Sequence, residues 1–343
     1  MDSRVTVLIP NFNGEKFLPR LFDCLVAQTL TNFKCVFLDD GSTDDSIEVA
    51  RSYQKYLLNL EVLELSNVGI ARNWNRGIEQ VTTEFFTLLH CDDAYEPEYL
   101  AEMIKLMDHY PGAALGHCGA VTMNERGQSV YSSIEAFKQG RYFPARAFCR
   151  SIKEEYQALL SGDFINCPSV IYRASMTKEV GFFNVHLTQT LDWEYWFRVL
   201  LNGYSICGTS RRLYRYRRHE NNLSKHNAKD MSRYMEELKT LKWAHAEGTE
   251  TGLVDSALNL SIVTSIMVYD IGVALDNNDR AAAKQKLEFM VQQELLPEHL
   301  AYVLRIIIYL GYIGGWLLLK SVEAVVMCLS LRLKFVSWYS RIV

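Results

Sequence analysis

The sequence predicts an α/β fold in which a mostly parallel sheet is flanked by helices and followed by a C-terminal helical extension. Three observations carry that expectation. Short β-branched runs alternate with helix-period segments through the first hundred residues, each run stops at turn-forming residues, and the chain beyond about residue 224 keeps helical spacing almost throughout. At 343 residues, 49% of them hydrophobic, the chain can bury one large core and a smaller appendage.

The elements follow in order. Residues 5–9 are a strand-length apolar run stopped by Pro10, and Asn11-Phe12-Asn13-Gly14 supplies turn chemistry after it. Phe17, Leu18, Leu21, Phe22, Leu25 and Val26 recur at helical spacing, and residues 33–38 form a second strand ending at Asp39-Asp40-Gly41-Ser42. A helix over 46–58, a strand over 61–65, a helix over 70–81 and a strand over 85–89 continue the pattern to His90-Cys91-Asp92-Asp93. Repeated βα alternation predicts ligands bound beyond the carboxyl ends of the strands. After about residue 140 the pattern is mixed; residues 254–275 read as a long apolar helix and 280–293 as an amphipathic one. The expected division is a catalytic domain over 1–224, a helical subdomain over 225–300 and an apolar tail over 301–343.

Charge and cysteine usage narrow the class. A net charge of −4 argues against a general nucleic-acid binder, so any anion site is local. Eight cysteines without a C-x-x-C pair read as buried thiols in a reducing cytosol. The N-terminus passes from Met1-Asp2-Ser3-Arg4 directly into a strand, without the long apolar stretch of a signal peptide.

Polar residues stand at four successive strand ends: Asn13; Asp39 and Asp40; Asn67 and Gly69; Asp92 and Asp93. In a parallel sheet all of them converge on one crevice, where carboxylates and amides can read a nucleotide. Taken singly, Asp-Asp-Gly-Ser-Thr-Asp is also a good turn and helix cap. The convergence is what favours a site.

Residues 5–46, with their Pro10, Asn13 and Asp39-Asp40-Gly41-Ser42, resemble the opening of family 2 glycosyltransferases of the Rossmann-like GT-A fold. Asn67-x-Gly69-x-Ala71 through Asn75-x-Gly77-Ile78 is similar to that family's third element, and Asp92-Asp93-x-x-x-Pro97 to its metal motif. The resemblance covers about the first 220 residues. It implies that Asp39 reads the donor base, with Pro10, Asn13 and Asn67 lining the same pocket. It also implies that Asp92 holds Mg²⁺ or Mn²⁺ on the donor diphosphate, which suits hard oxygen ligands. His90 stands where many relatives carry an acid, and two readings remain open: a contact to donor ribose or diphosphate, or a simple strand end.

Leu191-Asp192-Trp193-Glu194-Tyr195-Trp196-Phe197-Arg198 starts a helix whose aromatic residues face inward. Asp192 is either its cap or, as the resemblance implies, the general base that takes the acceptor's proton, with Glu194 as the fallback. The basic run 211–219 is either a solvated or nucleic-acid-binding face or, by resemblance, a segment closing over the diphosphate. On the second reading His219 touches phosphate or metal, and Arg217 or Arg218 neutralises phosphate charge. Asn166-Cys167-Pro168-Ser169 is assigned to the acceptor side.

Residues 306–319 carry no charge across 14 positions, fewer than the roughly 20 that span a bilayer. With Arg332, Lys334 and Arg341 after them, they suit an interfacial element on an anionic cytoplasmic leaflet; a dimerisation or core-packing element is the alternative. The expected function is inverting transfer of a sugar from a nucleoside-diphosphate donor, UDP favoured, to a glycan or lipid-linked acceptor, peripherally at the inner face of the cell membrane. The rival readings are a glycoside hydrolase using Asp92 and Asp192, and a non-catalytic membrane scaffold.

Overall fold

The structure, a computed structural model, describes residues 2–144, 146–219 and 231–310. Two compact units are present: the first takes in Met1–Leu159, Asp163–Asn222 and Ala246–Val254, the second Leu160–Gly162, Leu223–His245 and Asp255–Val343.

The first unit is built on nine strands: β1 (Val5–Asn11), β2 (Lys34–Asp39), β3 (Leu60–Glu64), β4 (Phe85–Leu88), β5 (Ala94–Tyr95), β6 (Ala113–Met123), β7 (Phe148–Cys149), β8 (Val170–Arg173) and β9 (Ser205–Arg217). Their order is β3-β2-β1-β4-β8-β6-β9-β5, with β7 also paired to β9. Strands β1, β2, β3, β4, β6 and β9 run one way, and β5, β7 and β8 run against them. The sheet is thus mostly parallel, and the carboxyl ends of six strands share one edge. All seven residues of β1 are buried, as expected of a strand covered on both faces.

Helices α1 (Leu18–Val26), α2 (Ser46–Ser52) and α3 (Ile70–Glu79) cover this half of the sheet. Helix α1 forms because Leu18, Leu21, Phe22 and Leu25 fall on one face, and that face is buried. Each such side chain contributes about 1.5–3 kcal/mol by leaving water. Helix α3 presses close on the sheet at Gly77, where a Cβ would stand 2.3 Å from Leu38 Cδ1. Helix α2 ends at Ser52, short of the expected 58. The Tyr53 ring stacks on Phe22 at 4.9 Å and its hydroxyl donates to Asp23 Oδ1 at 2.9 Å, so a tertiary contact holds the chain where helical spacing would have carried on.

The rest of the unit comprises α4 (Tyr99–His109), α5 (Ser133–Tyr142), α6 (Ile152–Leu160), a 3₁₀ turn (Cys167–Ser169), α7 (Ala174–Val180) and α8 (Leu191–Leu201). Because β8 runs backwards, the turn before it lies at the edge where β1–β4 end.

The second unit is helical: α9 (Ser232–Glu250), whose last turn belongs to the first unit, then α10 (Ser261–Asp276), α11 (Arg280–Gln292) and α12 (Glu298–Leu310). The apolar helix expected from residue 254 starts at Ser261, because Val254 N–H closes onto Gly248 O at 2.8 Å and ends the preceding helix. Helix α12 crosses the expected boundary at 300, and its Leu300, Ala301, Leu304 and Ile308 are buried. Among the described residues no helix is long and apolar enough to cross a membrane. Residues 311–343, the larger part of the expected tail, lie outside the described residues.

Candidate active site

The β1 and β2 ends are knit together by one carboxylate. Asp39, 1% exposed, accepts at Oδ1 from Asn11 Nδ2 (2.9 Å) and Ser42 Oγ (2.6 Å), and at Oδ2 from the Ser42 main chain (2.8 Å). Asn13 has a left-handed backbone, φ 53°, a conformation Asn tolerates better than most residues. Its Oδ1 accepts from Thr43 N at 2.8 Å, while its own N–H donates to Ser42 Oγ at 2.8 Å. Pro10, buried opposite Leu38, does not stop the strand as expected: β1 runs through it to Asn11, which pairs with Asp39.

Asp40 performs the same service for β3. Its two oxygens accept from Val68 N (2.9 Å) and Gly69 N (3.0 Å), holding the loop that carries Asn67 in the open. Gly69, φ 84° and ψ 164°, takes a backbone shape that only glycine adopts without strain. Asp39 and Asp40 therefore build the walls of the crevice. The surfaces that face outward are Phe12, Asn13 and Asn67.

After β4 the chain turns through His90-Cys91-Asp92-Asp93, with Asp93 N–H donating to His90 O at 3.1 Å. The two neighbouring acids meet different partners. Asp93 is 2% exposed, and its carboxyl accepts from Tyr214 Oη and, at 2.8 Å, from Arg217 N–H. Burial and the adjacent Asp92 charge push it well above the carboxylate range, so it acts as a buried link to β9. Asp92 Oδ2 lies 2.9 Å from His219 Nε2. Burial would raise Asp92, but the His219 hydrogen bond and the charges of His90 and His219 outweigh it and hold the carboxyl below its ordinary value.

Arg217 approaches the site from beneath. Its guanidinium donates to the carbonyls of Asp92 (2.6 Å), Glu125 (2.9 Å) and Asn124 (3.3 Å) and lies over the Phe17 ring. It thereby bears on the metal motif through the main chain of Asp92; Arg218 is the exposed neighbour. The Phe17 ring also packs on His219, with centroids 4.8 Å apart.

Ligand atoms of His90, Asp92 and Asp93 lie within 4.8 Å of one another. Asp93 is already bonded and favours its protonated form, which leaves Asp92 as the oxygen donor with imidazoles nearby. One carboxylate, with the other positions filled by phosphate oxygens and water, fits Mg²⁺ or Mn²⁺. His90 is half-buried, its ring 5.2 Å from Trp74, and burial pushes its imidazole down.

Asp192 stands in the first turn of α8. It does not cap the helix: Thr190 occupies the cap position, and Asp192 Oδ1 accepts from the next residue's N–H, Trp193, at 2.8 Å. Burial, then the charge of Asp163, pushes Asp192 up to about 8, against the opposing pull of main-chain N–H groups and Lys138. Glu194, 8% exposed, is committed to Arg198 Nε at 2.8 Å. Burial and then the charges of Asp192, Asp163 and Asp93 drive the Cys167 thiol well up. That thiol opens the turn that leads into β8, at the edge where β4 ends.

Sequence reasoning passed over Glu135 and Lys138 on α5. Lys138 Nζ lies 3.3 Å from Asn166 Oδ1, and Asn166 Nδ2 reaches Glu135 Oε2 at 3.4 Å, so the expected acceptor segment is held by a helix whose spacing gave no hint of it. Tyr214 was also missed, because its role depends on a pairing between β5 and β9 that no local pattern encodes.

The family model described as Glycosyl transferase family 2 matches residues 6–175. An uncharacterised glycosyltransferase of Rickettsia typhi is 25% identical over 197 residues, 57% of this chain and 58% of that protein. The crystal structure of Staphylococcus aureus TarS 1–349 in complex with UDP-GlcNAc is 19% identical, with a TM-score of 0.56 over 94% of this chain and 91% of that one. A mannosyltransferase from Pyrobaculum calidifontis, solved in complex with GDP-Man and Mn²⁺, has a TM-score of 0.52 at 13% identity, over 83% of this chain and 84% of that one. The chain spans from about a third to three fifths of the length of the first curated relatives it matches.

Proposed function

Because the chain belongs to glycosyl transferase family 2, we propose that it moves a sugar, with inversion, from a nucleoside-diphosphate donor to an acceptor hydroxyl, with UDP the favoured nucleotide and residues 1–224 forming the catalytic domain. The observation that carries this reading is the contrast between two carboxyls at one sheet edge. Asp92 is held ionised, as a metal ligand must be, while Asp192 is pushed up to about 8, where a carboxylate has real affinity for a proton.

Asp192 takes the proton of the acceptor hydroxyl as that oxygen bonds to the anomeric carbon from the face opposite the leaving group. The anomeric carbon–oxygen bond to the diphosphate breaks, and its electron pair leaves on the nucleoside diphosphate. Asp92, with His219 as its hydrogen-bonded neighbour or a co-ligand, would hold a Mg²⁺ or Mn²⁺ ion, which when bound would neutralise charge on that diphosphate. Pro10, Asn13 and Asn67 line the nucleotide seat, whose walls Asp39, Asp40 and Gly69 fix. Arg217 keeps the Asp92 main chain in place.

The acceptor in this reading is a polymer or lipid-linked glycan at the cytoplasmic membrane face. It is supported by a relative named for such a polymer, the poly(ribitol-phosphate) β-N-acetylglucosaminyltransferase TarS of S. aureus, 25% identical over 219 residues. The basic residues after position 331 are the part proposed to meet anionic lipid; self-association is the competing role for the tail. Calorimetric titration with UDP, with and without Mn²⁺, tests the core of the proposal. Tight, Mn²⁺-dependent binding supports it, and indifference to both nucleotide and metal would favour a hydrolase.

A further inference from the structure

The turn after β4 holds a polar atom for which the fold itself supplies no partner. His90 Nε2 is shut off from solvent and meets no hydrogen-bond partner among the described residues, although buried ring nitrogens are normally paired. The residue is fixed on two sides. Leu89 N–H donates to Leu8 O at 2.9 Å and Asp93 N–H donates to His90 O at 3.1 Å, which pins the main chain between β1 and the turn. The Trp74 indole of α3 packs against the imidazole with centroids 5.2 Å apart, and Trp74, 2% exposed, is itself held by the edge contact of Phe183. So placed, a ring nitrogen of His90 stands within 4.8 Å of a carboxylate oxygen of Asp92 and of one of Asp93. Two ligands of one small divalent ion lie about 3–4 Å apart, so a small turn of a side chain brings His90 and Asp92 onto the same ion. Asp93 is already engaged by Tyr214 and the Arg217 main chain.

We propose that His90 supplies an imidazole nitrogen to the divalent ion that Asp92 would hold, and that this nitrogen makes the site favour Mn²⁺ or Co²⁺ over Mg²⁺. The inference rests on the proposed reading in which Asp92 serves the donor diphosphate. Mg²⁺ prefers oxygen ligands in a near-ideal octahedron and gives up water reluctantly, so an imidazole does little for it. Imidazole suits first-row transition ions better, and affinity rises from Mn²⁺ to Co²⁺. A neutral ring in place of a second carboxylate also leaves the site one negative charge poorer, which favours an anionic diphosphate beside it. The Trp74 wall orients the ring in advance, so little side-chain freedom is lost on binding.

The test reads the ion rather than turnover. With Mn²⁺ and UDP added, pulsed electron paramagnetic resonance of the full chain is expected to show coupling of the manganese to imidazole nitrogen. His90→Asp loses an imidazole coupling, and its preference for Mn²⁺ over Mg²⁺, measured by calorimetry in the presence of UDP, falls by about tenfold or more. His219→Gln keeps the His90 signal. UDP affinity in EDTA is the same for the native protein and His90→Asp, because the ring acts through the ion. Should His90→Asp fail to fold, His90→Gln carries the same comparison. A spectrum that replacing His90 leaves unchanged overturns the proposal, as does a loss of UDP affinity in EDTA, which would set the ring against the nucleotide itself. The underlying reading is checked separately: a native protein that binds Mn²⁺ with UDP but shows no nitrogen coupling sinks only the His90 assignment, whereas one that binds neither UDP nor Mn²⁺ sinks the transferase reading along with it.

Discussion

His219 Nε2 and Asp92 Oδ2 lie 2.9 Å apart, joining the residues just past β9 to the turn after β4. Asp92→Asn is expected to abolish turnover and weaken UDP binding in Mn²⁺ while leaving the thermal unfolding profile in place. His219→Gln, which removes an orienting partner or a ligand, is expected to lower Mn²⁺ affinity by about 10–100-fold. Calorimetry with UDP and Mn²⁺ reads both effects, and an Asp92→Asn enzyme that turns over normally refutes the metal assignment.

Replacing the base separates chemistry from binding. Asp192→Asn is expected to lower the rate by about 10²–10⁴-fold with little change in UDP affinity. In the native enzyme the base works only when ionised, so activity should rise with pH and level off above about 8. Parallel loss of nucleotide binding would return Asp192 to a structural role.

The same carboxyl has a stability signature of determined sign. Its value in the folded protein lies above the roughly 3.9 of an unfolded chain, so folding favours the protonated form. That contribution is complete below about pH 4 and is lost as pH rises through 8. Asp192→Asn should therefore gain melting temperature relative to the native enzyme at pH 9, and gain less or nothing at pH 5. Equal differences at both pH values would contradict the buried environment assigned to this residue.

Loop restraint by Asp40 can be tested without touching ligand. Gly69→Ala forces a side chain into a glycine-only backbone shape with open space around the new Cβ, so its cost of about 1–3 kcal/mol is backbone strain alone. Asp40→Ala leaves two main-chain N–H groups without their acceptor and should destabilise by about 1–3 kcal/mol. Both should also weaken UDP binding through the Asn67 loop. Urea unfolding measures the first effect and nucleotide titration the second.

For the tail, the burial of α12 fixes where a truncation belongs. A chain ended after Leu310 keeps Leu304 and Ile308 in their places and should bind UDP as the full chain does. The full chain should sediment with anionic liposomes in a salt-sensitive way and the shortened one should not. Full-length dimers that ignore liposomes, with monomers on truncation, would make the tail an oligomerisation element.

The first four strands were legible because each is a local apolar run with its own turn, although β4 takes its place beside β1 and not beside β3. The later sheet was not, since β8 pairs with β4 and β6 across long stretches of chain, and three residues such as Val170-Ile171-Tyr172 carry no record of direction. The polar residues at the strand ends were legible as types and positions, but less so as the partners they take. Nothing in Asp39-Asp40 announces that one carboxylate faces Asn11 and Ser42 while the other clasps Val68 and Gly69. Nor does Asp92-Asp93 announce that the second acid lies under Tyr214. Those assignments depend on which way alternate side chains turn at a strand end, and that is set by partners far along the chain.

The reversal of β8 has a further consequence. In the proposed reading the donor-side residues follow the strands that carry them, whereas Asn166 and the turn Cys167–Ser169, proposed to meet the acceptor, precede theirs, and the antiparallel β8 brings both sets to one sheet edge. Insertions between α6 and β8 can lengthen or reshape the proposed acceptor loop while the registers of β1 to β4 stay fixed. A lineage built on this framework can inherit one nucleotide-reading apparatus unchanged and diversify what it glycosylates by editing a single stretch of chain.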